Sequence, residues 1–530
     1  MTEVLTSAQM RAIEQAAISS GGTTGLALME RAGAGLLQAV FARWPDLGTE
    51  PGQAMVLCGP GNNGGDGFVI ARLLAQRGWR AECYLFGQRD RLPPDAAINH
   101  DRWAAYGPTL ALADWRMMHR LGGAAEPLVP DLVIDAIFGT GLTRPLPEDL
   151  MTELHDLDAA LPPGRARRVA VDAPSGLCMD SGRVLGAATG AKPLRQDLTV
   201  SFHRPKLGHV LDEGPYWCGA LATADIGLDA LPDGAAPAVA TTRLARPATA
   251  RLGKGTSDEA RHKYDYGHAL ILSGGPGHTG AARLAARSAL RVGAGLVTLA
   301  APGTAMAETA AHLTSVMLTR CNGSTELEAI LEDTRLNALC LGPGLGVGAG
   351  TRDLVATALA SRRPTVLDAD ALSSFATEQP RFFAMVHSHV VLTPHDGEFA
   401  RLFPEIWREL REPAKVGPAM SRLDAARAAA ARARCTVLLK GADTIIADPD
   451  GRAVIHSAHY DRAAPWLATA GAGDVLSGLI TGLLARGLHP VTAAETAAWL
   501  HVEAARSFGP GLIAEDLPER LPQVLRDLGL

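Results

Sequence analysis

Short apolar runs alternate with helical patterns along most of the chain, and each run ends close to glycine, proline, asparagine or aspartate. The first element is predicted to be a helix, because Thr6 to Gln9 fits a capping box and Met10, Ile13, Ala17 and Ile18 follow at helical spacing. The later runs are typical of buried parallel strands followed by helices, which predicts an α/β fold with doubly wound sheets. These runs are Met55–Cys58, Leu132–Asp135, Val169–Asp172, Leu198–Phe202, Ala269–Ser273, Leu339–Leu341, Val366–Asp370, Val390–His395 and Val437–Lys440.

The alternation stops once, at the linker-like stretch Leu231–Pro237, and then starts again. A chain of 530 residues is also too long for one hydrophobic core. We therefore predict two α/β domains of unequal size, over residues 1–228 and 243–530, joined by a linker over residues 229–242.

Composition narrows the class of protein. Apolar residues make up 47% and charged residues 20% of the chain, which is typical of globular proteins. The net charge of −6 argues against a nucleic-acid-binding surface. The sequence shows neither a secretory signal nor an apolar stretch of the roughly 20 residues that a membrane helix needs. Seven cysteines without zinc-binding spacing indicate buried, reduced thiols, so we expect a cytoplasmic protein without membrane partners.

The loop Gly471-Ala472-Gly473-Asp474 precedes an apolar helical run and carries the strongest chemical signal. Glycines let the backbone approach a ligand, and a helix N-terminus offers free N–H groups to an anion. An acid at such a place suits the removal of a proton from a hydroxyl while phosphate is transferred. We therefore predict that Asp474 is catalytic.

A second candidate site lies in the N-terminal half. Its polar residues follow predicted strands, and ligands of α/β sheets bind beyond the carboxyl ends of strands. The loop Asn62–Gly67 alone also suits a plain tight turn. The expectation of one crevice rests on the whole set, which is Asn62, Asn63, Asp66, Asp135, Asp172 and Ser175.

Three motifs of the C-terminal half have two readings each. Lys440–Thr444 lies between two strand patterns and suits either a nucleotide contact or a simple hairpin turn. His395 follows Thr393-Pro394 and alone favours a structural role at a strand end. Gly344-Leu345-Gly346 suits a close approach to phosphate, but the pattern is weak by itself.

Residues 5–228 resemble the NAD(P)H-hydrate epimerase domain, also called the YjeF N-terminal domain. The likeness rests on Asn62–Gly67, Gly139–Pro145, Asp172–Gly176, the opening Met10–Glu14 and Asp225–Leu228. It implies a Rossmann-like fold, an acid/base role for Asp172, and a potassium ion held by Asn63, Asp135 and Ser175. Sequence alone leaves potassium and magnesium open, since both take hard oxygen donors. The implied contacts to the hydrated nicotinamide nucleotide are Asn62, Asn63, Gly64, Gly65, Asp66, Gly139, Thr140, Gly141, Leu142, Thr143, Arg144, Pro145 and Asp172.

Residues 243–528 resemble the ADP/ATP-dependent NAD(P)H-hydrate dehydratase domain, which has a ribokinase-like fold. The likeness rests on Gly277–Ala281, Gly342–Gly346, Leu392–Phe399 and Gly471–Asp474, of which the segment around His395 is the most specific. It implies that Ala281, Gly346, His395 and Asp474 contact the hydrate. It also implies nucleotide contacts at Lys440, Gly441, Ala442, Asp443, Thr444 and Gly473.

Together the two resemblances imply a bifunctional repair enzyme. It would exchange the R and S hydrates of NADH and NADPH and dehydrate the S form at the expense of ADP or ATP, with magnesium on the nucleotide. Relatives associate, so a homo-oligomer is expected. The alternative is a ribokinase-like kinase of a small metabolite, with an N-terminal domain that only binds or scaffolds. The order of the domains favours ADP over ATP.

Overall fold

The computed structural model describes residues 3–116, 129–161, 164–228, 242–254 and 262–530. The chain divides into two compact units. The first comprises residues 1–241 and 412–421, and the second comprises residues 242–411 and 422–530. Of the predicted linker, residues 229–241 lie outside the described residues.

The first unit begins with the predicted helix, and its capping box is present between Thr6 and Gln9. Met10 and Ala17 are buried as the pattern predicts, whereas Ile18 is exposed near the end of the helix. The helices are α1 (Ser7–Ser19), α2 (Gly25–Arg43), α3 (Pro45–Thr49), α4 (Asn62–Gln76), α5 (Pro94–Trp103), α6 (Glu148–Ala160), α7 (Leu207–Val210) and α8 (Gly214–Cys218). The strands are β1 (Glu3–Val4), β2 (Gln53–Cys58), β3 (Arg80–Leu85), β4 (Thr109–Ala111), β5 (Leu132–Ala136), β6 (Arg167–Val171), β7 (Leu198–Phe202) and β8 (Ala220–Ala224).

The sheet of this unit is parallel, in the order β4-β3-β2-β5-β6-β7-β8. Both faces of β2 are covered, since Val56 and Cys58 belong to one apolar cluster and Met55 and Leu57 to another. The chain leaves β2 toward one edge and returns at β5 to build the other side. The crevice between these two strands is where ligands of doubly wound sheets bind.

The second unit repeats the alternation on a larger scale. Its helices are α9 (Thr249–Leu252), α10 (Gly280–Arg291), α11 (Met306–His312), α12 (Ser324–Ile330), α13 (Ala349–Ala360), α14 (Ala369–Ser373), α15 (Gln379–Met385), α16 (Asp396–Leu402), α17 (Pro404–Arg411), α18 (Arg422–Ala433), α19 (Ala472–Ala485), α20 (Pro490–Phe508) and α21 (Asp516–Asp527). Its strands are β9 (Thr242–Leu244), β10 (His268–Leu272), β11 (Leu296–Ala301), β12 (Met317–Arg320), β13 (Leu336–Leu341), β14 (Thr365–Leu367), β15 (Val390–Leu392), β16 (Thr436–Leu439), β17 (Asp443–Ala447) and β18 (Ala453–Ser457).

These strands lie in the order β9-β18-β17-β16-β15-β14-β13-β10-β11-β12. The part from β16 to β12 is parallel, and β17 and β18 extend it as antiparallel neighbours. The switch point lies between β10 and β13. The predicted run Val366–Asp370 is shorter as a strand, because the chain turns into α14 after Asp368.

Helix α19 lies at the centre of the second unit and is buried along nearly its whole length. It packs closely against α10 because glycines face that helix. A Cβ at Gly478 would lie 2.1 Å from the carbonyl oxygen of Ala285, and one at Gly482 would lie 2.6 Å from that of Ala289. This contact fixes the start of α19, where Asp474 lies.

Two expectations from the sequence concern the cysteines and membrane-spanning helices. Each of the seven cysteines is buried, as predicted, and no disulfide joins any two of them. None of the described helices is both long and apolar enough to cross a membrane.

Candidate active sites

The first glycine-rich loop forms the start of α4, directly after β2. Asn62 and Asn63 are the first two residues of the helix, and no side chain caps it at Gly61. The first turn of such a helix presents N–H groups and a positive dipole end to an anion. Gly64 is required by a close approach, since a Cβ there would lie 2.0 Å from the Gly59 carbonyl oxygen. The arrangement suits a phosphate group of a nucleotide.

Asp135 and Ser175 meet beside this helix at the switch point. The Ser175 hydroxyl donates to Asp135 Oδ1 at 2.6 Å, and the Ser175 N–H donates to Oδ2 at 2.9 Å. Gly139 passes close to Asn63, because a Cβ on Gly139 would lie 2.7 Å from Asn63 Oδ1. The three predicted cation ligands, Asn63, Asp135 and Ser175, therefore lie around one position. Thr143 and Arg144, in the loop that starts at Gly139, are exposed at its rim.

The donors at this place are oxygens of amide, carboxylate and hydroxyl groups, with the Phe138 carbonyl 3.3 Å from the Ser175 hydroxyl. Burial raises the pKa of Asp135, while hydrogen bonds from Ser175 and Ile137 oppose the rise. Across the described ranges, no three His, Cys, Asp or Glu side chains cluster in a way that would hold a metal ion. Hard, weakly charged donors of this kind fit an alkali cation better than a transition metal.

Asp172 lies directly after β6 and is held by an ion pair. Its backbone is left-handed, with φ of 62°, which is a strained conformation for an aspartate and places the carboxylate beyond the strand. The ammonium group of Lys206 lies 2.7 Å from Asp172 Oδ1, and the Ser201 hydroxyl lies 3.2 Å from the same oxygen. Burial raises the pKa of Asp172, but Lys206 outweighs burial and lowers the pKa below the usual value. The carboxylate is therefore ionised at neutral pH.

Lys206 is completely buried, and its ammonium group has three acceptors. Besides Asp172 it donates to the Ser201 hydroxyl and to the Phe202 carbonyl, both at 3.0 Å. His209 completes the support, with Nδ1 accepting from the Lys206 N–H and Nε2 2.8 Å from the Asp172 carbonyl. Burial lowers the pKa of His209 to about 4, so its ring is neutral.

Two further carboxyl groups face Asp172. Burial and the charge of Asp172 raise the pKa of Glu14, on α1, to about 6. Burial raises the pKa of Asp66, on α4, well above its usual value, and the charges of Asp172 and Glu14 raise it further. The site thus combines one carboxyl group whose pKa is lowered with two whose pKa values are raised, which is the separation that acid/base chemistry needs.

In the second unit, Asp474 lies in the first turn of α19, after Gly471, whose φ of 88° favours glycine. Burial and the neighbouring charge of Asp368 raise the pKa of Asp474 to about 6. Lys440 pairs with Asp368, with its ammonium group 2.7 Å from Asp368 Oδ1. The Ser477 hydroxyl donates to Asp368 Oδ2 at 2.7 Å.

The first turn of α19, with its free N–H groups, forms a cradle for an anion. The ammonium group of Lys440 lies next to this cradle. A Cβ on Gly473 would lie 3.7 Å from Lys440 Nζ. Burial lowers the pKa of Lys440, but the carboxylates of Asp368 and Glu398 outweigh it and raise the pKa, so Lys440 stays charged. The cradle therefore joins a fixed cation, helix N–H groups and a carboxyl group able to accept a proton near neutral pH.

His395 caps α16. Its Nδ1 accepts from the Gly397 N–H at 2.9 Å, and Glu398 accepts a bond from the His395 N–H at 2.9 Å. About half of the side chain, 54%, is exposed, so the ring can also meet a ligand. His395 thus has a structural role at the end of a strand, where it caps the next helix.

The other predicted hydrate contacts lie at the switch point between β10 and β13. Ala281 is in the first turn of α10, and a Cβ on Gly344 would lie 3.6 Å from the Ala281 Cβ. The Gly346 N–H donates to Asp370 Oδ2 at 2.8 Å. Gly346 also lines a cavity of about 330 Å³ with residues that follow β10, among them Gly274 and Gly275.

A cavity of about 580 Å³ adjoins the cradle. Among the predicted nucleotide contacts, its lining includes Lys440, Gly441, Ala442, Thr444 and Gly473. The turn is a hairpin as well, since it joins the antiparallel strands β16 and β17. Asp443 is buried and is absent from the lining of this cavity as described.

Arg422 holds the Lys440–Thr444 turn in place. Its guanidinium lies 3.0 Å from Asp443 Oδ1 and 2.8 Å from Asp396 Oδ1, and it donates to the Lys440 carbonyl at 2.9 Å. Asp443 thus meets Arg422 directly. The carboxylate of Asp396 anchors the same guanidinium.

Several residues of these sites are not among those predicted from the sequence, and four of them carry charge. Lys206, Glu14, Asp368 and Arg422 reach their partners across long stretches of chain. Asp368 directly follows the strand Thr365–Leu367, and a charged residue at the end of a predicted strand is a sequence signal for a site residue. Lys206 lies four residues after the strand Leu198–Phe202, so its sequence signal is weaker.

Comparison with known proteins gives one family match in each half of the chain. Residues 25–208 match the family model of the YjeF-related protein N-terminus, and residues 269–524 match that of NAD(P)H-hydrate dehydratase. The bifunctional NAD(P)H-hydrate repair enzyme of Salinibacter ruber is 36% identical over 544 residues, covering 98% of this chain and 96% of that protein. The NAD(P)H-hydrate epimerase of Rhodobacter capsulatus is 48% identical over 212 residues, covering 39% of this chain and 92% of that protein.

A solved structure is similar to about half of this chain. It is the ADP/ATP-dependent NAD(P)H-hydrate dehydratase of Bacillus subtilis, co-crystallised with ATP and Mg²⁺. It is 29% identical, covers 52% of this chain and 95% of its own, and has a TM-score of 0.43.

Proposed function

We propose roles for individual side chains on the premise that the chain belongs to the bifunctional NAD(P)H-hydrate repair enzymes, which join an NAD(P)H-hydrate epimerase to an ADP/ATP-dependent NAD(P)H-hydrate dehydratase. Asp172 serves the epimerase reaction and Asp474 serves the dehydratase reaction. The observation that carries the proposal is that each carboxyl group lies near the ammonium group of a lysine, Lys206 for Asp172 and Lys440 for Asp474, and that the two pKa values are shifted in opposite directions.

In the epimerase site, the hydroxyl of the hydrate leaves one face of its ring carbon and returns on the other. The hydroxyl takes a proton as the C–O bond breaks and departs as water. A water molecule then forms the new C–O bond and gives its proton to a base. Asp172 is the base, since Lys206 keeps it ionised, and each hydrogen bond described for this carboxylate goes to Oδ1. Asp66, whose pKa is raised, supplies the proton.

The residues around these carboxyl groups hold the substrate. The first turn of α4, from Asn62 to Asp66, and the loop from Gly139 to Pro145 bind the nucleotide part. Asn63, Asp135 and Ser175 hold a potassium ion, which the oxygen-only donor set supports. When bound, this ion fixes the loops at the switch point and offsets negative charge near the substrate.

In the dehydratase site, Asp474 takes the proton of the hydrate hydroxyl, and the oxygen attacks the terminal phosphorus of the nucleotide. AMP leaves if the donor is ADP, and ADP leaves if it is ATP. The C–O bond then breaks to release phosphate, and the neighbouring ring carbon gives a proton to solvent, which restores the double bond. Lys440 and the N–H groups at Gly473 hold the transferring phosphate, and a preorganised donor of this kind is worth about 3–4 kcal/mol of barrier.

The nucleotide lies in the cavity next to Lys440–Thr444, with its phosphates toward Gly473. Ala281, Gly346 and His395 contact the hydrate. Carboxylates are the ligands that Mg²⁺ usually takes beside phosphates, and Asp368 and Glu398, the carboxylates nearest Lys440, would be the residues to hold it and to offset phosphate charge. The order of the two domains, which resembles bacterial members of the family, supports ADP as the donor.

The test follows the return of reduced-nicotinamide absorbance from a mixture of R and S NADH hydrates, with magnesium, with or without potassium, and with ADP or ATP. We expect complete recovery with ADP, faster than spontaneous exchange of the epimers allows. Recovery of the S fraction alone would contradict the epimerase assignment. A stable phosphorylated product without recovery would support a metabolite kinase instead.

A further inference from the structure

A short segment from the second half of the chain belongs to the first unit. Residues 412–421 connect α17, which ends at Arg411, to α18, which begins at Arg422, and both of these helices belong to the second unit. The 412–421 segment itself packs with residues 1–241. Its contacts there show which part of the first unit it supports.

The 412–421 segment is hydrogen-bonded to the loop Gly139–Pro145. The Gly417 N–H donates to the Thr143 carbonyl at 2.8 Å. The two backbones are so close that a Cβ on Gly417 would lie 3.3 Å from the Thr143 Cα and 3.3 Å from the Leu142 carbonyl oxygen. Within the described ranges, the bond from Gly417 is the one hydrogen bond that joins this loop to another part of the chain.

Apolar contacts support the same loop. Ala414 and Ala419, both from the 412–421 segment, are each only 8% exposed. They form a small buried cluster with Cys178 and Leu185, and Leu142 of the loop packs against this cluster. The segment therefore holds the loop through a side chain as well as through the backbone.

The 412–421 segment is fixed near both of its ends. The Gly186 N–H donates to the Ala414 carbonyl at 2.9 Å. The guanidinium of Arg183 donates to the Met420 carbonyl at 3.4 Å and also to the Glu412 carbonyl. Because these bonds go to backbone carbonyls, the segment is held in one position and can in turn hold the loop.

The loop needs such support to bind a ligand well. Gly139 and Gly141 allow many backbone conformations, and Thr143 and Arg144 are exposed at the rim of the site. A protein whose binding-competent state is only partly populated binds with an affinity reduced by that fraction. An anchor at Thr143 therefore raises the affinity for whatever the loop binds.

We propose that the 412–421 segment is a positioning element of the epimerase site, which holds the loop Gly139–Pro145 in the conformation that binds the nucleotide part of the hydrate. This positioning role rests on the function proposed for the loop. The segment has no part in the proton transfers, since the contacts described for the Asp172 carboxylate come from other residues. Loss of the segment's contacts should thus weaken binding and leave the chemical step intact.

The test replaces Ala414 by aspartate in the full-length chain, which places a charge in the apolar cluster. Exchange of the R and S hydrates is followed by chromatography without added nucleotide, so that the dehydratase reaction does not run. We expect KM for epimerisation to rise by about fivefold or more, with kcat little changed. The acid limb of the epimerase pH profile, which Asp172 and Lys206 set, should stay in place.

Two further variants make the test specific. Val416 lies in the same segment but is 70% exposed, so Val416→Asp adds the same charge and should leave KM unchanged. Arg183→Met removes the hydrogen bonds to the Glu412 and Met420 carbonyls from the opposite side and should raise KM as well. Thermal unfolding and the dehydration of the S hydrate show that each variant is folded. If Ala414→Asp is not folded, Arg183→Met decides.

The outcomes separate this positioning role from the epimerase function. A wild-type KM in both Ala414→Asp and Arg183→Met, or a loss of kcat as large as the rise in KM, overturns the role of the segment while the repair reaction stands. If the wild type does not exchange the epimers, the proposed epimerase function fails. Hydrogen–deuterium exchange over residues 139–146 then decides: faster exchange in Ala414→Asp than in Val416→Asp supports the hold on the loop, and equal exchange refutes it.

Discussion

Replacement of Asp474 by asparagine should separate activity from stability in the second unit. The substitution keeps the shape of the side chain and removes its ability to take a proton. Loss of a general base typically slows a reaction by about 10²–10⁴-fold. We expect dehydration to fall by that amount and epimerisation to remain, since Asp172 belongs to the first unit.

The same substitution should stabilise the fold at neutral pH. Burial and Asp368 raise the pKa of Asp474 from 3.8 to about 6, a difference of about two units. At 1.36 kcal/mol per unit, ionisation of Asp474 costs the folded state about 2–3 kcal/mol. A carboxyl group with a raised folded-state pKa opposes folding only once it ionises. The cost is absent below about pH 4, grows between about pH 4 and 6, and is complete above about pH 7.

Urea unfolding from pH 4 to 8 measures this difference. The introduced amide never ionises, so the D474N variant should match the wild type near pH 4 and exceed it by about 2–3 kcal/mol at pH 8. Asp353→Asn, at an exposed position on α13, controls for the loss of one negative charge and should show no such trend. A variant that is less stable than the wild type at pH 8, or a difference that does not change with pH, would refute the reasoning.

Three further predictions test other parts of the structure. Asp172→Ala should slow exchange of the R and S hydrates, measured by chromatography of the epimers, and an unchanged rate would remove Asp172 from its role. Lys206→Met takes away the cation that lowers the pKa of Asp172, so the acid limb of the epimerase pH profile should move up by about 1–3 units, and an unmoved limb would contradict the ion pair. Gly478→Ala should lower the free energy of unfolding by about 1–3 kcal/mol, because its Cβ would lie 2.1 Å from the Ala285 carbonyl oxygen. Gly350→Ala, in a helix with open space around it, is the control and should stabilise slightly, so equal effects of the two would exclude the packing explanation.

The sequence predicted most of the fold because its signals are local. Alternating apolar runs and the Thr6 capping box act within a few residues, and the strands and the first helix are present as predicted. The exceptions have physical causes as well. The run Val366–Asp370 is apolar at first, but the chain turns into α14 after Asp368, and Ile18 is exposed near a helix end.

The candidate sites were less accessible from the sequence. The glycine loops made Asp474 and Asn63 predictable, because the start of a helix is a local feature of the sequence. The charged neighbours that shift the pKa values of the carboxyl groups are not local. Lys206 lies 34 residues after Asp172, and Lys440 lies 72 residues after Asp368, so only the folded sheet brings each pair together. A motif identifies the reacting group, but the neighbour that shifts its pKa comes from the topology.

The buried cysteines give the protein a set of native thiol reporters. Cys58, Cys83, Cys178 and Cys218 belong to the first unit, and Cys321, Cys340 and Cys435 belong to the second. A thiol that is inaccessible in the folded state reacts with an alkylating reagent only when its surroundings open. Labelling followed by peptide mass spectrometry would thus give the opening free energy of each unit within one unmodified chain. Each ligand, hydrate or nucleotide, would reveal the unit to which it binds by the thiols that it protects.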